Sequence, residues 1–334
     1  MSPRALVIDT AFVGDVVFTF AATARLAAAG FAVDLVVRAG LEPLAACGEG
    51  VGRVFGLDKR GAQHSPLSTL AFARALSRAG GDGRSPRRYD VVLGAHPSLR
   101  TALLALCIPA DLRVGWRRLG YSEFVKRPYR FVDDRHALVD RVLCGRSARP
   151  DFGHGLPRLA IERLGERLNR TPSSVPAEAV ALLPGSRFAT KRWPLTRFRS
   201  LAAQLRDRGI ATVAFGSAEE RLEHGPLDVS LDARGWTLPE TAAALSMCIA
   251  VVGGDSGLLH LGRAVGTPAV AIFGPTDPLR LPIDPGRLDL YRDDLKCRPC
   301  SPHGAAHCPR GDHACLEGLD VERVLSALRS LGVG

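Results

Sequence analysis

The sequence predicts an α/β protein of two parallel-sheet domains, and three observations carry that prediction. Short apolar or β-branched runs alternate with stretches of helical spacing along most of the chain. Several of those runs end in polar, glycine-containing turns, as a strand does where it feeds a helix. The chain has 334 residues and 46% apolar content, enough to bury more than one core.

In the first domain, placed at residues 1–150, Ala5–Ile8, Val33–Val37, Val54–Leu57, Val91–Leu93 and Arg113–Gly115 read as buried strands. Phe18–Ala29, Leu67–Ala79 and Ser98–Cys107 have helical spacing between them, and Gly80–Arg88 reads as a loop. From Arg146 to about Glu178 the chain carries four prolines and no sustained period. This stretch, bounded at residues 151–178, is expected to connect the domains around a short helix near Ile161–Leu168. Alternation resumes in a second domain at residues 179–318. Its strands are Val180–Leu183, Thr212–Phe215, Ala250–Val252 and Ala269–Phe273, and its helices Leu195–Arg208, Leu238–Cys248 and Leu258–Val265. A final helix, Asp320–Leu331, occupies the segment 319–334. Right-handed βα crossovers make two parallel sheets the simplest assembly of these pieces.

Composition narrows the function classes. The longest charge-free apolar stretches, Thr241–Gly254 and Ala264–Thr276, are too short to span a bilayer. The N-terminus meets Asp9 after four apolar residues and lacks the apolar centre of a secretory signal, so a cytoplasmic location with mostly reduced cysteines is expected. The net charge of +10 is unevenly placed. Residues 1–150 hold 22 Lys and Arg against 13 Asp and Glu, whereas residues 151–334 hold 22 against 21. The basic first half implies an anionic partner: nucleic acid, an acidic membrane surface or a phosphorylated substrate. Nucleic acid is disfavoured, because aromatic residues are only 6% and do not interleave with the arginines. A dinucleotide oxidoreductase is disfavoured too, since the first turn, Thr10–Asp15, lacks G-x-G-x-x-G.

Three turns carry candidate chemistry. The segment Gly253-Gly-Asp-Ser-Gly257 links a strand to a helix, and Asp255 or Ser256 suits the cap position. Ser256 and Gly257 leave first-turn N–H groups uncovered, as a helix start that holds phosphate does, and His260 lies one turn on. Without a ligand, the same segment is a capped α/β turn. Asp15 sits at the start of the first helix, where a carboxylate serves as a general base or as a cap. The third turn, Pro184-Gly-Ser-Arg-Phe-Ala-Thr-Lys-Arg-Trp-Pro194, presents Ser186, Arg187 and Lys191. Cations beside a helix N-terminus suit a diphosphate, and alone they are equally a solvated basic turn. After the next strand, Glu219 is preferred to Glu220 as an acceptor for ribose hydroxyls.

Taken together these motifs resemble glycosyltransferase family 9, the bacterial lipopolysaccharide heptosyltransferases. The matching blocks are Val13-Gly14-Asp15-Val16 with Thr19, Pro184-Gly185-Ser186 with Lys191-Arg192-Trp193-Pro194, and Phe215-Gly216-Ser217. They continue with Gly253, Asp255-Ser256-Gly257 and His260, then Gly266-Thr-Pro268 and Phe273-Gly-Pro-Thr-Asp-Pro278. The blocks keep family order across nearly the whole chain.

The resemblance implies a GT-B fold, two Rossmann-like domains facing across a cleft, with acceptor on the first and nucleotide-sugar donor on the second. It implies an inverting transfer of a heptose or related sugar from an ADP-sugar to a phosphorylated, lipid-linked acceptor at the inner leaflet, with no metal required. The protein would then be cytoplasmic or peripheral on that membrane face. A different donor or a glycan or protein acceptor is the alternative, as is a non-catalytic nucleotide- or nucleic-acid-binding protein. Asp15 corresponds to the family's proposed base, and Ser186, Arg187, Lys191, Glu219, Asp255, Ser256, Gly257 and His260 to the donor side. Acceptor candidates are Lys59, Arg60, Arg100 and Arg117, each of which is otherwise surface charge. The chain departs from the family at Ala11, Phe12 and Ala21, at Gly254 where asparagine is common, and at Arg263.

Near the C-terminus, Cys297, Cys300, Cys308 and Cys315 lie close together with three histidines nearby. Four thiols at this density suggest a structural Zn or Fe site, or disulfides in an oxidising compartment. The other cysteines, Cys47, Cys107, Cys144 and Cys248, sit in apolar helical settings and read as core.

Overall fold

The computed structural model describes residues 2–79, 88–116, 121–125, 131–143, 159, 174–281 and 285–334. The connecting helix near Ile161–Leu168, Cys144, Arg117 and most of the loop Gly80–Arg88 lie outside them. The chain divides into two compact units, Met1–Arg163 and Leu164–Gly334.

In the first unit six strands form one parallel sheet: β1 (Arg4–Asp9), β2 (Ala32–Arg38), β3 (Val51–Leu57), β4 (Tyr89–Gly94), β5 (Ala110–Trp116) and β6 (Glu123–Val125). Their order is β3-β2-β1-β4-β5-β6. The second sheet is also parallel, with β7 (Val180–Leu183), β8 (Thr212–Ala214), β9 (Leu231–Asp232), β10 (Ala250–Gly254), β11 (Ala269–Ile272) and β12 (Arg287–Leu290). Its order, β12-β11-β10-β7-β8-β9, is the same winding read from the other edge. Each unit is therefore Rossmann-like, and two such units make a GT-B chain.

This winding fixes where a ligand can bind. Strand order reverses beside β1 and β4, paired from Ala5–Val91 to Ile8–Gly94, and beside β7 and β10, paired from Val180–Ala250 to Leu183–Gly253. The turns leaving these strands flank the crevice where an open α/β sheet holds its ligand. Those turns begin at Thr10, Ala95, Pro184 and Asp255.

The central strands are apolar on both faces, as helices covering both sides of a parallel sheet require. In the first unit, helices Pro66–Ala79 and Leu99–Cys107 pack on one face against Leu6, Ile8, Val36 and Val92. Ser98 caps the second of them by accepting from the Thr101 amide. In the second unit the C-terminal helix Val321–Ser330 buries Val324, Leu325 and Leu328 against the helix Leu195–Asp207 and the sheet, so it belongs to that core.

Several elements escaped the sequence pattern. The first helix, Val13–Ala28, begins five residues before Phe18, where its helical spacing becomes legible, and holds Asp15 in its first turn as the turn after β1 suggested. Helix Ala218–His224 has no buried residue and so no apolar period to read. Strands β9 and β12 are edge strands, one of two residues and one carrying Arg287 and Asp289. Helix Phe131–Leu143 was also missed, and it supplies a key side chain.

Candidate functional site

The turn after β1 is built around a buried carboxylate. Asp9 is fully buried and accepts from Thr19 Oγ1 at 2.7 Å, the Ala11 amide at 3.1 Å and Arg135 at 3.2 Å. Arg135, buried on helix Phe131–Leu143, supplies the countercharge that a carboxylate out of water needs. The same guanidinium lies 3.7 Å from Asp15.

Asp15 differs from Asp9 in being reachable: its side chain is 25% exposed. Phe12 is the cap of this helix, and the Asp15 carboxylate reaches back to accept from the Phe12 amide at 3.4 Å. Asp15 is thus a first-turn helix residue rather than the cap itself. Burial and the nearby Asp9 charge raise its pKa above the ordinary carboxylate value, while Arg135, His96 and the Phe12 amide pull the other way. His96 follows β4, and its Nδ1 is buried with no hydrogen-bond partner among the described residues.

Two acceptor candidates meet at this turn. Lys59, just past β3, donates to the Thr10 carbonyl. Arg100 donates to the carbonyls of Lys59 at 3.2 Å and His64 at 3.1 Å. Burial pushes the Lys59 ammonium below its ordinary pKa, Arg100 and Arg38 push in the same direction, and Asp9 and Asp15 oppose them. Arg38, which ends β2, stands 5.5 Å over the Phe12 ring. Arg60 is exposed and is not drawn into this group. Asp9, Arg38, His96 and Arg135 were not singled out from the sequence. The first three sit at or just after strand ends, so the β1–β2–β4 neighbourhood marks them once the sheet order is known; no local pattern marks Arg135.

In the second unit, Asp255 collects three partners. Its Oδ2 lies 2.6 Å from Lys191 Nζ and accepts from Thr276 Oγ1 at 2.9 Å, and its Oδ1 is 3.2 Å from His260 Nε2. Burial alone would raise the Asp255 pKa, but the His260 hydrogen bond and the Lys191 charge outweigh it and hold the carboxyl well below the usual range. Burial pushes the His260 imidazole down against the pull of Asp255. The ring is then neutral near pH 7 and donates from Nε2 to the carboxylate.

Ser256, not Asp255, is the cap of helix Gly257–Ala264, its hydroxyl accepting from the Leu259 amide at 3.4 Å. The Ser256 hydroxyl serves only the Leu259 amide, so the other first-turn N–H groups, with Gly257 beside them, are not taken up by this cap.

Lys191 is held from three directions. Gly254 lies so close to the Lys191 carbonyl that a Cβ there would overlap it. Thr190 Oγ1 and the Ala305 backbone exchange two hydrogen bonds of 2.8 Å. Two residues on, Trp193 is buried, stands edge-on to Phe198 at 5.0 Å and donates from Nε1 to the Leu319 carbonyl at 2.9 Å.

The remaining donor-side candidates divide. Ser186 is buried in the Lys191 turn, and Arg187 is exposed and stacks over Phe188 at 5.4 Å. Glu219 is exposed, with its acidity strengthened by a Ser217 hydrogen bond. Glu220 instead accepts from the Ser217 amide at 3.0 Å and fills the space that side chains at Gly185 and Gly216 would occupy. It therefore lies at the ends of β7 and β8, beside the Lys191 turn.

The expectation of a metal at the cysteine segment finds no support among the described residues. Cys297, Cys300, Cys308 and Cys315 are free thiols, and among the described residues no group of three or more His, Cys, Asp or Glu is placed to hold a metal ion. Backbone N–H groups of His313, Arg310 and Gly311 serve the Cys308 sulfur and, against its burial, lower its pKa, while burial raises those of Cys300 and Cys315. Three of these thiols line a small pocket against Thr190, so the segment buttresses the Lys191 turn.

Similarity to known proteins agrees with this geometry. Over 98% of each chain, the protein is 27% identical to lipopolysaccharide heptosyltransferase 1 of Pseudomonas aeruginosa. Among solved structures it superposes with a family 9 glycosyltransferase of Veillonella parvula at a TM-score of 0.78, with 21% identity over 98% of this chain and 97% of that one. It also superposes with Escherichia coli heptosyltransferase WaaC bound to ADP-2-deoxy-2-fluoro heptose at a TM-score of 0.72, with 21% identity over 98% and 99% of the two chains. A family model, glycosyltransferase family 9 (heptosyltransferase), matches residues 85–305. With the paired Rossmann-like sheets and the loaded turns at both switch points, the chain belongs to glycosyltransferase family 9, the heptosyltransferase family, and is a transferase.

Proposed function

We propose that the protein transfers a heptose from an ADP-sugar to an acidic, lipid-linked acceptor of the lipopolysaccharide-core type, with inversion at the anomeric carbon. The observation that carries this reading is the contrast between two carboxylates, one at each switch point. Asp255 is locked as an anion by Lys191, Thr276 and His260, while Asp15 is reachable and has a raised proton affinity. The first arrangement orients a cation toward a diphosphate, and the second suits proton acceptance. The relative that acts on lipopolysaccharide and the similar structure holding a fluorinated ADP-heptose support the substrate classes.

In the proposed step, the acceptor hydroxyl oxygen forms a bond to the anomeric carbon as the bond to the diphosphate oxygen breaks. The electron pair of that bond leaves with ADP, and the hydroxyl proton passes to Asp15. Negative charge growing on the diphosphate is met by Lys191, Ser186, Arg187 and the N–H groups after Ser256. Asp255 holds Lys191 in place, His260 holds Asp255, and Glu220 replaces Glu219 as the ribose acceptor because of its place beside Gly185. Lys59, Arg100 and Arg38 face the acceptor's acidic groups. Because that acceptor is lipid-linked, the protein works against the inner face of the cytoplasmic membrane.

A thermal-shift scan of nucleotide sugars tests this reading. ADP and ADP-sugars should raise the melting temperature and other nucleoside diphosphate sugars should do so less; no shift with any of them would contradict it.

A further inference from the structure

Helix Leu99–Cys107 carries leucines on two opposite sides, and only one side is covered. Leu104 is buried on the sheet, whereas Leu99, Leu103 and Leu106 are 72%, 38% and 49% exposed. Their spacing of four and three residues makes one outward stripe. The neighbouring helix Pro66–Ala79 packs against this one on the same face of the sheet, and its outward stripe reads Leu67, Ala71, Arg74 and Arg78, with Leu67 79% exposed. Half of the eight exposed large apolar side chains among the described residues thus fall on two adjacent helices. Scattered exposed leucines mean little, but a contiguous aliphatic stripe with a cationic border marks a contact surface.

The surroundings select the partner. The patch is purely aliphatic and has Arg74, Arg78 and the exposed Arg60 around it, in the half of the chain that carries 22 basic against 13 acidic residues. Both helices start where strands β3 and β4 end, so Leu67 and Leu99 lie at the sheet edge that also holds the Asp15 turn. We infer that the stripe Leu99–Leu103–Leu106 with Leu67, bordered by Arg74 and Arg78, is the surface by which the first unit docks on an anionic lipid bilayer. Leucines enter the boundary between headgroups and acyl chains while the guanidiniums meet acidic headgroups. Docking by this face brings the acceptor turn to the surface on which a lipid-linked glycan stands. The inference rests on the proposed acceptor class and adds the face that meets the membrane.

Vesicle co-sedimentation of the full chain tests it, with vesicles of phosphatidylethanolamine plus phosphatidylglycerol beside vesicles of phosphatidylcholine alone. The parent should sediment with the acidic vesicles and not with the neutral ones. The variant Leu99→Ser/Leu103→Ser/Leu106→Ser should lose roughly tenfold or more of that binding, and Arg74→Glu/Arg78→Glu should lose it in a salt-dependent way. Both variants should keep the parent's melting shift with ADP and its rate on a lipid-free acceptor glycan. Unchanged vesicle binding by the leucine variant overturns the inference. So does a parent dimer that this variant dissociates, since the stripe would then be a protein interface. Failure to bind ADP with intact leucine-dependent docking would instead reject the transferase reading and leave the surface standing.

Discussion

The two sheets have the same winding, and each carries a carboxylate turn at its switch point, after the first strand of one unit and after the fourth strand of the other; the two turns are electrostatic opposites. After β10, Asp255 meets Lys191 at 2.6 Å on a backbone anchored by Trp193, and its proton affinity is suppressed. After β1, Asp15 shares one guanidinium with the deeper Asp9, keeps a quarter of its side chain exposed, and has its proton affinity raised. A carboxylate held below its ordinary range by a cation at 2.6 Å is a weak base, so its surroundings disfavour Asp255 as the acceptor of a hydroxyl proton. The winding fixes where ligands meet a Rossmann-like unit, and the partners of one carboxylate decide what the unit does there.

Substitutions can break this comparison one side at a time. The largest effect is expected from Asp15→Asn, which should lower kcat by roughly 10²–10⁴-fold while leaving ADP affinity intact, as steady-state rates and calorimetry would show. A loss of ADP affinity in this variant would mean that the two turns are not divided as described. Lys191→Ala should weaken ADP binding by about 10- to 100-fold, or about 1.4–2.7 kcal/mol, because it removes a cation and leaves Asp255 without its charge partner. Gly254→Ala places a methyl group on the Lys191 carbonyl. It should cost about 1–3 kcal/mol of stability in denaturant melts, with a parallel loss of ADP affinity.

The smallest effect sharpens the first side. Asp15 must be ionised to accept a proton, so kcat/KM should fall as pH drops through its raised pKa. Arg135 lowers that pKa, so Arg135→Leu should move the acid limb to higher pH, and Arg135→Lys should move it back. A profile that stays in place when Arg135 is replaced would remove the coupling between Asp15 and the buried Asp9–Arg135 pair. The other charges facing Asp15 are Asp9, His96 and Lys59, and they remain in both variants.

The central strands and the places of the main turns were legible in the sequence because each rests on local pattern. Apolar runs of four to seven residues ended in Gly, Asp or Ser, and Asp255, Ser256 and Lys191 sat in recognisable turns. What escaped depends on contacts distant in sequence. Arg135 reaches Asp9 across 126 residues, and nothing in Phe131–Leu143 marks that arginine among its neighbours. Helix Ala218–His224 buries nothing, so periodicity could not show that Glu220, rather than Glu219, packs beside Gly185 and Gly216. The cysteine spacing suggested a metal, whereas folding serves Cys308 with backbone N–H groups and sets three of the thiols around a pocket on the Lys191 turn.

Calorimetric titration of ADP into the parent, Asp15→Asn and Lys191→Ala tests the division of labour most directly. The account predicts equal affinity for the parent and Asp15→Asn, and a loss of about 10-fold or more for Lys191→Ala. Equal affinity in all three, or a loss confined to Asp15→Asn, would contradict it.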